Sequence, residues 1–228
     1  MIDRAPRTEQ LANAIVELII RNNLPAGAPL PTEAELMLQM GVSRAAVREA
    51  MKTLQALDIV DVRHGHGTFV GSASASALQP WLLFRTRLAP GQNAHRMQDL
   101  LLVREMIELE LARRVTADAP NPTLIAGLEK CLERMRGGGE DAYQADEDFH
   151  ALIHQAAGVE LASELVQVFW RVYRLAEGDL GKPRGSLAVN HQPIVDAIIA
   201  GDPIAVDRAI RNHFDDVRSR IDAATHKA

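Results

Sequence analysis

The sequence predicts a mainly α protein in two parts: a small N-terminal unit of three helices closed by a β-hairpin, and a C-terminal antiparallel all-helical bundle. Three observations carry that expectation. Hydrophobic residues make up 47% of the 228 residues but aromatic ones only 4%, so Leu, Ile, Val, Ala and Met must fill the core, a composition that leans to helix. Strand-like alternation is confined to one short stretch, Ile59-Val60-Asp61-Val62 with its return Thr68-Phe69-Val70. An uncharged tract of small residues, Gly71-Ser72-Ala73-Ser74-Ala75-Ser76-Ala77, reads as a linker. The expected division is therefore 1–71 for the first unit, 72–79 for the linker and 80–228 for the second unit.

In the first unit Leu11, Ala14, Ile15, Leu18 and Ile19 recur at helical spacing, with Thr8 as an N-cap candidate and Asn22-Asn23 as the end. Pro25-Ala26-Gly27-Ala28-Pro29 is a turn. Thr32 and Glu35 have capping-box spacing at the start of a short second helix that Gly41 stops. Ser43 caps a third helix with the apolar stripe Val47, Ala50, Met51, Leu54 and Leu57. The hairpin then turns at Arg63-His64-Gly65-His66-Gly67. Beyond the linker, breakers at Ala119-Pro120-Asn121-Pro122, Gly137-Gly138-Gly139, Gly158, 178–185 and Gly201-Asp202-Pro203 cut the chain into about six or seven helices, as in a helical bundle.

Charge alone points to no partner. The net charge is −5; residues 1–72 hold seven Lys/Arg against eight Asp/Glu, a net of −1, and the rest hold 18 against 22, a net of −4. One cysteine, Cys131, leaves no internal disulfide to form. With neither a signal peptide nor a stretch apolar enough to span a membrane, the expected location is the cytoplasm.

A short helix, a glycine turn, a second capped helix and a hairpin outline a winged helix-turn-helix. Arg44 and Arg48 are four residues apart and share one face of the third helix, opposite its apolar stripe. An arginine fork matches the O6 and N7 acceptors of guanine in the major groove. Ser43, at that helix's N-terminus, can donate to a phosphate. Ala45 lets the backbone approach a base, and Lys52 extends the positive ridge. At the wing, Gly65 and Gly67 permit a tight tip from which Arg63, His64 and His66 can reach a minor groove. The segments Leu30-Pro31-Thr32-Glu33-Ala34-Glu35-Leu36, Gly41-Val42-Ser43-Arg44-Ala45-Ala46-Val47-Arg48-Glu49-Ala50 and Gly65-His66-Gly67-Thr68-Phe69-Val70 resemble, in that order, the GntR family of bacterial transcription regulators. The resemblance implies DNA contacts from Ser43, Arg44 and Arg48, and from the wing tip at His64-Gly65. Some FadR-like members carry a DNA-reading arginine where this chain has Ala34, which implies a different operator or looser reading there.

In the second unit Asp146 and His150 are four apart, and His191 and His213 follow. Three imidazoles and a carboxylate are a ligand set for zinc, nickel or a similar divalent ion. His150 and His154 are also four apart, so spacing leaves His154 open as a competing ligand. Ala145-Asp146-Glu147-Asp148-Phe149-His150 after a Gly-rich or acidic loop, Asn190-His191 with Ile194-Val195-Asp196-Ala197-Ile198, Gly201-Asp202 and His213 are similar to the FCD effector domain of FadR-like regulators. That resemblance implies a metal held by Asp146, His150, His191 and His213, with His154 off the pattern; zinc is expected first, with nickel or manganese as alternatives. Asn190 departs from the usual acidic residue before the third ligand. By the same resemblance Arg104 pairs with an effector carboxylate, with Arg174 as a weaker candidate; a salt bridge from Arg104 to Glu108 is the competing reading.

The expected function is a ligand-responsive transcription regulator, not an enzyme. It would bind palindromic operator DNA as a homodimer and sense a small carboxylate such as an organic or sugar acid. The alternative from another class is a metal-dependent hydrolase or lyase using the His/Asp site, against which stands the absence of an obvious general acid or nucleophile near the ligands. A regulator with an acyl-thioester effector and no metal is a third reading, which the histidine set disfavours.

Overall fold

The computed structural model describes residues 7–87, 93–118, 121–176 and 186–225. The chain divides into two compact units, 1–77 and 78–228. No helix among the described residues is long and apolar enough to cross a membrane.

The first unit holds helices α1 (Arg7–Arg21), α2 (Glu33–Met40) and α3 (Arg44–Ala56), then strands β1 (Val60–Arg63) and β2 (Gly67–Val70). Thr8 lies inside α1 and is not its cap, because the helix already includes Arg7. The capping box of α2 is present: Glu35 N–H donates to Thr32 Oγ1 (3.3 Å), and Thr32 N–H donates to Glu35 Oε2 (2.8 Å). Gly41 ends the helix in the left-handed region (φ 63°), where a side chain would be strained. Ser43 Oγ accepts from Ala46 N–H at the start of α3. Ile15, Leu36, Val47 and Ala50 are fully buried at the centre of this unit, with Val60 closing it from the hairpin. Leu57, which continues the apolar stripe of α3 in the sequence, caps that helix and is 52% exposed. Strands β1 and β2 pair antiparallel from Val60↔Val70 to Arg63↔Gly67, and residues 27–30 add backbone hydrogen bonds along β2.

The small-residue tract is anchored. Asp58 receives Ser72 Oγ–H, Ser74 N–H and Ser74 Oγ–H on one oxygen, Oδ2. Gly71 is required beside it, since a Cβ there would lie 2.2 Å from the Asp58 carbonyl oxygen. Ala75–Leu78 then forms a 3₁₀ turn, and residues 72–77 of the expected linker fall in the first unit.

The second unit has seven helices among the described residues: α4 (Gln79–Arg87), α5 (Asn93–Ala117), α6 (Pro122–Gly137), α7 (Gly139–Ala157), α8 (Glu160–Ala176), α9 (Leu187–Ala200) and α10 (Pro203–Thr225). Glu140 and Asp141 sit in the first turn of α7, where carboxylates face the positive end of the helix dipole. The predicted breaks at 119–120 and 178–185 lie outside the described residues. Helix α5 packs against α4, α7, α8, α9 and α10. Around it Leu128, Phe149, Ile194, Ile210 and Phe214 form the dry core, while Arg104, Glu108, Asp146, His150, His154, His191 and His213 are buried polar residues.

Candidate functional site

Two sets of side chains stand out. On α3 of the first unit, Ser43, Arg44, Ala45, Arg48 and Lys52 are all exposed, while Val47, Ala50, Met51 and Leu54 turn inward. Ser43 uses its oxygen as an acceptor in the cap and retains its own proton for donation. Arg44 has no ion pair among the described residues. Arg48 makes a loose contact with Glu33 (3.5 Å) and Lys52 pairs with Glu49 (2.7 Å), both exposed pairs that an incoming polyanion can displace at little cost. The wing tip exposes His64 and Gly65. Arg63 does not extend from the wing: it pairs with Asp61 (2.7 Å) and lies over the Phe69 ring at 4.3 Å.

The second set lies inside the bundle. Helix α7 brings Asp146 and His150, α9 brings His191, and α10 brings His213. Nitrogens of His150, His191 and His213 lie within 4.8 Å of one another. His150 Nε2 is 3.2 Å from His191 Nε2, and Asp146 Oδ1 is 2.7 Å from His191 Nε2 and 3.6 Å from His150 Nε2. Despite this closeness Asp146 Oδ1 makes no well-aligned hydrogen bond, and neither does His213 Nδ1. His191 Nδ1 stands 2.7 Å from the Leu187 carbonyl, which can only accept, so the ring proton belongs on Nδ1 and the Nε2 lone pair faces the cluster. His150 Nδ1 stands against Glu108 Oε2 in an ion pair, with the same consequence for its Nε2. With both rings neutral, two imidazole lone pairs and a carboxylate oxygen therefore converge. A metal ion, an extra proton or a water donating its two hydrogens satisfies such a set.

The titration behaviour follows from that crowding. Burial works against a charged His150, but Glu108 and Asp146 beside it outweigh burial and lift its pKa to about 9. Burial, with His191 and His150 nearby, holds His213 well below the usual imidazole range. Burial works to raise Asp146, and His191 and His150 overcome it, so its pKa is lowered and it stays ionised. Neutral imidazole and ionised carboxylate are the forms that bind metal.

Arg104 lies beside this cluster and lines the same cavity as Asp146, His191 and His213. The competing reading for Arg104 holds as far as it goes: Nε donates to Glu108 Oε1 at 2.5 Å. The guanidinium also stacks over Trp170 at 3.9 Å, while Nη2 is buried without a hydrogen-bond partner. Arg174 reaches the cavity wall but is already held by Glu140 (3.1 Å) and Glu147 (3.2 Å). His154 lies outside the three-histidine group but forms a second cluster of possible ligand atoms with Glu108 and His150, its Nε2 3.9 Å from Glu108 Oε2.

Glu108 is the residue that sequence reasoning left out, as structural. Its signal was the helical register: Leu101, Arg104, Glu108 and Ala112 fall on one buried stripe of α5, and an ion pair in an apolar stripe marks an interior polar site. The hydrolase alternative finds no support around the cluster, since Glu147 pairs with Arg174 and Asp148 with Arg134 (2.6 Å).

Comparison with known proteins identifies the family of both units. Residues 7–70 match the gntR family of bacterial regulatory proteins, and residues 99–216 match the FCD domain. The chain is 28% identical over 235 residues to the HTH-type transcriptional repressor NanR of Cronobacter sakazakii, covering 98% of this chain and 88% of that protein. It is 26% identical over 236 residues to the Glc operon transcriptional activator of Escherichia coli strain K12, covering 96% and 90%. Among solved structures, a GntR protein of Streptococcus agalactiae superposes with a TM-score of 0.61 at 26% identity, covering 93% of this chain and 99% of that one. The chain belongs to the GntR family of DNA-binding transcription regulators, which are not enzymes, and its second unit is an FCD domain.

Proposed function

We propose that this regulator senses a small carboxylate, an organic or sugar acid, through a divalent metal site in its FCD domain, and that it binds palindromic operator DNA as a cytoplasmic homodimer. The observation that carries the reading is the convergence of Asp146 Oδ1, His150 Nε2 and His191 Nε2, all acceptors, beside an unpartnered His213 nitrogen. Asp146, His150, His191 and His213 would hold the ion. Zinc suits the mixed imidazole and carboxylate set, and nickel or manganese are the alternatives. A divalent ion held by these residues would supply a Lewis-acidic centre that draws a carboxylate oxygen. Arg104 supplies the second anchor, because its unpartnered Nη2 gives an anion a charge-assisted donor away from water. Arg174 serves at the cavity wall only by leaving Glu140 and Glu147.

On the DNA side, Ser43 positions a phosphate, Arg44 and Arg48 read base edges, Ala45 and Lys52 complete the face, and His64-Gly65 approach the minor groove. One such helix covers only a few base pairs, so a two-fold pair supplies the second half-site. Effector binding and operator binding are then linked reciprocally through the whole chain.

Elemental analysis of the untagged, full-length chain tests the metal reading. The expected content is one divalent metal per chain, falling sharply in His191→Ala and His213→Ala and unchanged in His154→Ala. Full occupancy in the first two variants overturns the ligand set.

A further inference from the structure

We propose that Glu108 is the positioning residue that ties the metal site to the anion site, orienting His150 with one carboxylate oxygen and Arg104 with the other. The inference rests on the metal reading above and goes beyond it, because Glu108 is neither a proposed ligand nor a proposed effector contact. Glu108 is 2% exposed. Its Oε1 accepts from Arg104 Nε at 2.5 Å, and its Oε2 meets His150 Nδ1 in a close ion pair that lacks hydrogen-bond alignment. A carboxylate taken out of water at this depth is costly unless both oxygens are engaged, and the engagement here is split between two functional side chains.

The split has a consequence for each partner. When His150 Nε2 serves a cation, the ring's proton must sit on Nδ1, facing Glu108 Oε2; that contact fixes the ring orientation and makes the imidazole a stronger donor to the ion. On the other side, Nε is the only Arg104 donor that Glu108 takes up, and the Trp170 face at 3.9 Å holds the guanidinium plane. Arg104 is thereby held still with Nη2 left for an anion. A glutamine has the same shape but one acceptor oxygen and no charge, so it can receive Arg104 or His150 but not both.

The test uses the full chain loaded with Co²⁺, whose visible absorption reports the ligand set. Zinc affinity is read by displacement of Co²⁺, and acetate serves as the anion probe. In Glu108→Gln, with helix content unchanged by circular dichroism, zinc affinity should fall about tenfold or more, and the acetate-induced change in the Co²⁺ spectrum should be lost. Glu108→Asp, which keeps two acceptors and the charge, should recover most of both. Wild-type zinc and acetate behaviour in Glu108→Gln, or loss of only one of the two, overturns the joint role. If Glu108→Gln does not fold, proton NMR of the zinc-loaded wild type decides. The His150 Nδ1 proton is expected as a far-downfield, slowly exchanging resonance, and its absence overturns the assignment. A wild-type chain that takes up no Co²⁺ overturns the metal reading itself, a result distinct from failure at Glu108 alone.

Discussion

The two units keep their functional charges in opposite places. In the first, Arg44, Arg48 and Lys52 stand in water, either unpaired or in exposed pairs, and the buried face of the same helix is wholly apolar. In the second, Arg104, Glu108, Asp146 and the histidines are inside, and each depends on another for compensation. An exposed cation costs little to maintain, so it can wait for a polyanion and can be changed without harm to the fold. A buried polar cluster has no such freedom: removing one member strands the others. Substitutions should therefore separate binding from stability in the first unit and fail to separate them in the second.

The largest separation is expected at the recognition helix. Arg44→Ala and Arg48→Ala should each weaken specific operator binding by about 1–3 kcal/mol, with the double variant reduced to non-specific binding. The melting temperature should stay at the wild-type value. Gel shifts at physiological salt together with thermal melts check this; wild-type affinity in both single variants removes α3 as the reading helix.

A second substitution probes the opposite unit without breaking its charge balance. Arg104→Lys keeps a cation beside Glu108 but loses the planar fork. Calorimetry on metal-loaded protein should show carboxylate affinity weakened by about 1.5–3 kcal/mol, while operator affinity without effector is unchanged.

How much of this was legible in the sequence tracks the same contrast. The caps at Thr32 and Ser43, the stop at Gly41 and the outward arginines are local, set by spacings of three and four along one helix, and those features are present in the fold. The four residues proposed as ligands come from α7, α9 and α10, yet the family resemblance alone brought His191 and His213 to Asp146 and His150, because no periodicity spans 41 or more residues. Glu108 escaped because a carboxylate repels an anionic effector, and only its burial shows that it is paired with Arg104 and His150 instead. The Asp58 anchor escaped for another reason. Serines in a small-residue tract read as solvent-exposed linker, and no local spacing connects Ser72 and Ser74 to a carboxylate 14 and 16 residues back.

Proton and metal should compete at the buried cluster. In the metal-free chain His150 has its pKa raised from 6.5 to about 9, so its protonated form stabilises the fold. That contribution is fully present below pH 6.5 and is lost as pH rises through about 9. Urea melts of metal-free protein should show declining stability across that window, and zinc affinity should increase over the same range as the proton is displaced. Metal-loaded protein should lack the decline. A metal-free chain whose stability is flat from pH 6.5 to 9 contradicts the assignment of the charge to His150.

The smallest effect is expected at the tied tract. Asp58→Asn keeps a residue type that tolerates the left-handed conformation but loses the charge that receives three donors on one oxygen. It should destabilise the first unit by about 1 kcal/mol, measured by chemical denaturation, and leave metal content alone.

The central claim is that the buried polar cluster of the second unit is a metal site, and X-ray absorption at the zinc edge of the protein as purified tests it most directly. A first shell of nitrogen and oxygen at about 2.0–2.1 Å, with the outer-shell scattering of three imidazoles that disappears in part in His213→Ala, is the predicted result. A zinc-free protein that stays zinc-free after incubation with the metal, or a shell without imidazole scattering, would contradict it.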